Sequence, residues 1–478
     1  MLNNKQTFLK IALVSGSVAF CVALLYAIFG LYVVLPFMFP ELHHGMGLLK
    51  NSDSVYFFSR ALELSALVEL AGWSQWSLVY EDQLPIGLSA AIINLSGIEH
   101  PLIIIAFNCF LVGLGTCFLA HRLFDAFSVL DARKIWLWVL FPSALLVYGQ
   151  VHRDAPVMLG ICILIWGLPS ICYRVQVRQA LMFGLSCLVG LSILAVARPY
   201  LFELVVIVLF AILMIHLFLA LRLTGFRGAA GTLLRILILV SCWAIGNFSV
   251  LEGRMLASRA ATTESNVLVK NIDKAKTNEL RKEIEALYPD GSDDIADKEI
   301  EALYPDGSDD IESCSIGENF IDSIVMQVYA TRVWSLNTGG STRIDPEIRL
   351  CGSLDAIEFA PRAFQVGAFS PFIFGLGDLG YERWRSNPLM MVASLETLAF
   401  LIVALMLLYR GATILSSKDR LILVWCLSVI VFCVALMTIY AFAVPNLGTL
   451  VRVRFPFWMI SMITMALLVL SPFSKVAR

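Results

Sequence analysis

Apolar residues along this chain come in unbroken runs of helical length, separated by short polar breaks rich in Arg and Lys. A run of about twenty apolar residues matches the hydrocarbon thickness that one α-helix crosses. Ten such runs can be drawn, at 11–37, 101–120, 135–150, 155–173, 180–197, 200–221, 233–250, 388–409, 420–443 and 455–472. The pattern predicts an all-α polytopic membrane protein of about ten transmembrane helices. It excludes a membrane β-barrel, whose strands alternate with period two. The first run is too long for a signal-peptide core and carries no small-residue cleavage site, so it reads as an uncleaved helix.

The basic residues fix a parity. Lys5/Lys10, Arg122/Arg133/Lys134, Arg174/Arg178, Arg222/Arg227/Arg235, Arg410/Lys418/Arg420 and Lys475/Arg478 all fall on one side of the drawn spans. The positive-inside rule makes that side cytoplasmic, with both termini there. The opposite, outer side receives two long segments, 40–100 and 251–387. It also receives short turns around His152–Asp154, Arg198–Pro199 and Pro445–Arg454. The chain divides into an N-terminal membrane part (1–250, spans 1–7), a large outer loop between spans 7 and 8 (251–387) and a C-terminal membrane part (388–478).

Within the first outer loop, Val55, Phe58, Leu62 and Ala66 follow helical spacing, with Arg60 and Glu63 on the other face. Segment 53–72 therefore reads as a helix lying at the interface, with Trp73 and Trp76 as belt residues. Pro85 leads into a second apolar stretch, Ile86–Ile98, which reads as interfacial or re-entrant. The large outer loop holds an unchanged tandem repeat, KEIEALYPDGSDDI at 282–295 and again at 298–311. The repeat lacks the ligand spacing of an EF-hand and reads as a solvated insertion.

Composition agrees with the pattern. Apolar residues make up 59% and charged residues 15%, against roughly half and a quarter in soluble domains. A soluble enzyme, a disordered chain and a nucleic-acid binder are excluded. The net charge of −2 is local in origin, because Glu279–Glu312 holds 13 carboxylates and three basic residues. The remainder carries 32 basic against 24 acidic residues, a surplus of +8 that suits anionic lipid or phosphate. Nine of the 11 cysteines lie in apolar runs as small hydrophobes. Cys314 and Cys351 sit in the large outer loop, where an oxidising compartment would let them pair.

Candidate chemistry lies on the outer side. Short loops there should avoid arginine, yet they contain Arg153, Arg198, Arg452 and Arg454. Four guanidiniums offer planar, bidentate recognition of phosphate. Asp53 and Asp154 accompany them, each able to act as a general base or to share a divalent metal. The plainer reading makes each an N-cap of the helix that follows. No Gly-rich phosphate loop, HExxH or GxSxG occurs.

The arrangement resembles the GT-C superfamily of multi-span glycosyltransferases, which use polyprenyl-phosphate-linked sugars. The first span and long outer loop carry Asp53, Tyr56, Ala61-Leu62, Gly72, Tyr80 and Pro85. Asn108 and Ala120-His-Arg-Leu-Phe124 follow, then Ala132-Arg-Lys, Phe141-Pro-Ser and His152-Arg-Asp154. Pro445-Asn-Leu-Gly-Thr and Arg452-Val-Arg-Phe-Pro456 resemble the closing motif of the related polysaccharide polymerases, and Gly339-Gly-Ser-Thr with Phe369-Ser-Pro-Phe372 resembles their outer loop. Asp53 is followed by Ser rather than a second carboxylate, and the second acidic site is Arg-Asp rather than Asp-x-Asp.

The resemblance implies an inner-membrane glycosyltransferase of surface glycan assembly, up to and including a repeat-unit polymerase. Its partners would be a polyprenyl-linked sugar donor, a glycan or lipid-linked acceptor and membrane lipid. Carried over, Asp53 would be the catalytic base or acceptor-site carboxylate with Asp154 as its partner, and Arg198, Arg452 and Arg454 would hold the lipid phosphate; Arg153 joins them from the outer arginine cluster, Tyr56, His152 and Tyr200 are auxiliary candidates, and no cofactor is expected beyond an optional divalent metal. A transporter or flippase is the rival, which would line a path with charges; only Glu203 and Glu396 stand away from span ends. A scaffold whose acidic loop recruits partners is the third reading.

Overall fold

The computed structural model describes residues 2–50, 52–81, 83–127, 130–168, 177–224, 226–263, 320–337, 343–371, 388–415 and 420–470. Cys314 and both copies of the acidic repeat lie outside the described residues. Cys351 is disulfide-bonded.

The chain is an all-α polytopic membrane protein. Among the described residues eight helices are long and apolar enough to cross a membrane. In chain order the helices are α1 (Leu2–Phe29), α2 (Asp53–Ala71), α3 (Leu84–Ser96), α4 (Pro101–Phe127), α5 (Pro142–Tyr148), α6 (Asp154–Gly167) and α7 (Val177–Ala197). They continue as α8 (Pro199–Thr224), α9 (Phe226–Thr263), α10 (Phe320–Asn337), α11 (Ser353–Phe369), α12 (Pro388–Leu415), α13 (Arg420–Ala443) and α14 (Leu447–Leu470). The first span extends beyond α1 through a π-helical turn at Gly30–Val34 to Met38.

Two of the ten expected spans take another form. The run 135–150 is a 3₁₀ stretch (Leu130–Leu140) followed by the short α5. Pro142 explains the break: its ring pushes Phe141 out of the helical region, to ψ 131°. The run 155–173 yields α6, 14 residues among those described, and it is buried almost throughout. Apolarity alone did not separate a lipid-spanning helix from one sheathed by protein.

Small residues set the closest crossing. Ala12, Ala19, Ala23 and Ala27 on α1 are fully buried. A Cβ at Gly16 would stand 2.8 Å from Gly113 O on α4, and a Cβ at Gly113 2.8 Å from Gly16 O. Backbones approach this closely in membranes because lipid offers little hydrophobic drive, and helices gain instead from dense contact.

The segment between the first two spans forms a layer over one end of the bundle. α2 and α3 pack together above the start of α4, with Phe57, Phe58, Ala61, Leu64, Val68, Ile86, Ala90 and Ile93 closing a second core on Ile104 and Val151. The buried stripe of α2 is thus Ser54, Phe57/Phe58, Ala61, Leu64/Ser65 and Val68, and the expected Ala66 is exposed. Gly87 lets α3 approach the preceding loop, because a Cβ there would meet Ser77 O at 2.1 Å. Trp76 Nε1 donates to Gly87 O at 2.8 Å, and Trp73 stays exposed. A two-stranded ribbon, β1 (His43–Gly45) with β2 (Leu48–Leu49), is antiparallel and carries the chain from the first span to this layer.

The described part of the segment before α12 is tied to the same end. Arg332 on α10, 1% exposed, donates to Ala441 O and Phe442 O at the end of α13 and to Ile344 O and Asp345 O. Ala441 O and Phe442 O are among the carbonyls that a helix C-terminus leaves without internal partners. Arg362 on α11 then grips Asp345 with a two-pronged contact, both at 3.0 Å.

Candidate functional site

Four separate stretches of sequence meet beneath the α2–α3 layer. α2 contributes its first turn, the turn before α6 contributes His152–Asp154, the α7–α8 junction contributes Arg198, and α14 contributes Arg452. Their convergence is what a common side for all four would require.

Asp154 lies at the centre. It opens α6 but does not cap it, since no side-chain cap bond exists there. Its Oδ1 accepts from Arg198 Nη2. Its Oδ2 faces Arg452 Nε at 3.1 Å as an ion pair, without the alignment of a hydrogen bond. The Asp154 and Arg198 side chains are each 3% exposed. A charge in that setting persists only when its partner is present, because desolvation of each ion costs several kcal/mol. Arg198 Nη1 also donates to Tyr200 OH at 2.6 Å, and the Tyr200 ring meets the buried Tyr440 edge-on at 6.3 Å.

Arg452 joins this buried pair to the surface. Its Nη2 lies 3.4 Å from Asp53 Oδ2 and its Nη1 2.8 Å from His152 Nε2. The Asp53 side chain is 63% exposed, the Arg452 side chain 17%. Because a guanidinium only donates, His152 Nε2 must accept, which places the imidazole proton on Nδ1. Ser54 Oγ, 2.9 Å from the same nitrogen, then donates to it as well. Ser52 rather than Asp53 caps α2, accepting from Ser54 N at 3.3 Å. Capping fixes the first turn and so aims both Ser54 and Asp53 at the cluster.

His152 is held neutral. Burial and then the Arg452 charge push its pKa well below the ordinary 6.5. The unfolded chain therefore binds a proton near pH 6.5 that the folded one refuses, so stability falls as pH drops below that value. The melting temperature in detergent is expected to decline between pH 7 and 5, and His152→Asn is expected to flatten that decline. An equal slope in the variant would show that other groups set it.

Arg153 reaches outward to Gln83 Oε1 at 3.5 Å, at the start of α3. The fixed charges here are three guanidiniums (Arg153, Arg198, Arg452) against two carboxylates (Asp53, Asp154), a surplus of one positive charge with His152 neutral. A solvent-side ligand would meet Asp53, Arg452 and Tyr200 first. Among the described residues no three His, Cys, Asp or Glu side chains gather at metal-ligand spacing.

Two expected members stand elsewhere. Tyr56 OH points to Glu81 Oε2 at 3.4 Å, within an exposed network of Arg60, Glu63 and Glu81. Arg454 is 3% exposed and turned away, donating to Val366 O, Gly367 O (2.7 Å) and Ser370 O at the end of α11. Its outer guanidinium nitrogens are engaged by carbonyls, which leaves a phosphate little to bind. Arg452 and Arg454 lie at i and i+2 on α14, so they face different sides of the helix.

Glu396 also has a structural partner. Its Oε1 accepts from Ser143 N at 2.9 Å, at the start of α5. Glu396 and Arg454 share a cavity of about 10 Å³ with Ser143, Thr397, Phe455 and Trp458, room for about one water. These charges at membrane depth satisfy helix ends that Pro142 and α11 leave open. That is how irregular backbone survives there.

Sequence reading did not single out Ser54, Ser52 or Gln83. The Ser-Asp-Ser run before an amphipathic helix was the available signal for the first two. The chain matches no family model, and comparison with curated proteins and with solved structures finds no similar protein.

Proposed function

We propose that this protein is an inner-membrane glycosyltransferase that takes its sugar from a polyprenyl-(pyro)phosphate on the periplasmic face, with both termini in the cytoplasm, and acts in surface glycan assembly. The single observation that carries this reading is the mixed Asp/Arg cluster at one end of the bundle, cationic by one charge and opened to solvent by Asp53 and Arg452. Transfer from a lipid phosphate needs a base for the acceptor hydroxyl and cations for the departing phosphate. Asp53, the exposed carboxylate, is the base. Arg452 and Arg153 stabilise the phosphate, and Tyr200 lines its approach. Asp154 is a positioning residue that holds Arg198 and Arg452 in place. The basic parity of the loops supports the orientation, and the resemblance to GT-C enzymes supports the donor class.

The test is surface polysaccharide from a deletion strain complemented with wild type, Asp53→Asn or Arg452→Lys, resolved on a gel with lipid-linked precursors extracted alongside. Both variants are expected to leave the protein in the membrane and to lower product at least 100-fold, the order of a lost base or charge-stabilising donor. Collapse of a ladder to one repeat unit would identify a polymerase, and a truncated precursor a single-sugar transferase. Normal polysaccharide from both variants would refute the assignment. Deletion of 279–312 is expected to be tolerated, which separates this reading from a recruiting scaffold.

A further inference from the structure

The large outer segment reads in the sequence as a wholly extramembrane loop. One of its helices does not behave as such. α11 lies along α13, and the contact descends along it: Phe359 meets Phe442 edge-on at 5.2 Å, near the outer end of α13. Further along, Gly367 lies so close to α13 that a Cβ would stand 2.3 Å from Met437 O. Its end is held by Arg454, seven positions into α14, a depth of roughly 10 Å at 1.5 Å per residue. Phe369 at the same end packs on Phe400 of α12 at 6.0 Å. Both Met437 and Phe400 belong to helices that cross the membrane.

The outward side of α11 carries an apolar stripe, bordered along one edge by exposed Glu358 and Gln365. Leu354 (73%), Ile357 (68%) and Phe364 (41%) are exposed at i, i+3 and i+10, with exposed Pro361 between them. The opposite face, Phe359, Ala363 and Val366, is buried on α13. A free apolar stripe of this length beside spanning helices belongs in hydrocarbon rather than water.

We propose that α11 re-enters the leaflet on the side of the charged cluster, laying Ile357, Pro361 and Phe364 against lipid, with Leu354 at the interface above them. Arg454 is what makes the descent tolerable. The last carbonyls of a helix have no internal partners, and its negative end favours a cation. In the bilayer no water could serve them. This inference is independent of the catalytic assignment.

The experiment replaces Ile357 or Phe364 singly with the photoreactive p-benzoylphenylalanine in the full chain. The protein is placed in vesicles of phosphatidylethanolamine and phosphatidylglycerol, irradiated, and weighed intact. Both positions are apolar and exposed, so the larger ring has space. A mass gain of one phospholipid at both positions is expected. A species of twice the chain mass would assign the face to a second copy and overturn the proposal. An unchanged mass at both positions would place the face in water and overturn it equally.

Discussion

Asp154→Asn is expected to cost the fold about as much as the chemistry. The substitution keeps the shape of the side chain and removes its charge, leaving Arg198 buried with no carboxylate. Breaking a buried pair from one side costs on the order of 3–5 kcal/mol, because the abandoned ion stays desolvated. A large fall in melting temperature in detergent is expected, together with loss of transfer. Asp53→Asn removes a carboxylate that is mostly in water, and should leave the melting temperature nearly unchanged. The pair of variants assigns the roles. If Asp154 were the base, Asp53→Asn would keep transfer and only Asp154→Asn would lose it. A further variant, Asp154→Leu with Arg198→Met, should recover much of the stability without recovering activity, since an apolar pair of similar volume can replace a buried ion pair.

Arg454→Met should be the most damaging change outside the cluster. It strips a cation from three carbonyls at the end of α11 and from the neighbourhood of Glu396. Val366 O keeps Ser370 N–H and Oγ, and Ser370 O keeps Thr397 Oγ1, but Gly367 O is left without a donor, which costs about 1–3 kcal/mol. The expected result is a clear drop in melting temperature, and loss of the lipid adduct at position 364. Arg454→Lys, which keeps the charge and loses the planar fork, should recover part of both. If Arg454 held a substrate phosphate instead, both variants would melt like wild type and fail only in transfer.

The architecture was legible because membrane insertion is a one-dimensional problem to first order. The cost of placing each segment in hydrocarbon depends mainly on its own residues. Runs of apolar residues, the parity of Arg and Lys, and the helix over 53–72 could therefore be read without neighbours. The same logic drew attention to Arg198, Arg452 and Asp154, since charges near span ends on the wrong side call for a partner. Which partner was not legible. Arg452 and Arg454 look alike on paper, yet one joins Asp53, His152 and Asp154, while the other caps α11, because successive directions on a helix differ by about 100° per residue.

Helix breaks and contacts between distant segments were decided by tertiary structure. The apolar run over 135–150 became a broken element once Pro142 acted, and Glu396, some 250 positions away, accepts from the freed Ser143 N–H. α11 followed the same rule. Its composition alone suits a soluble amphipathic helix, and only the closeness of Gly367 to Met437 and the reach of Arg454 draw it to membrane depth. Single-segment hydrophobicity thus determined that the chain spans the membrane. The positions of its charges were settled by pairing across segments, because at low dielectric an ion stays only where another element supplies its counter-charge.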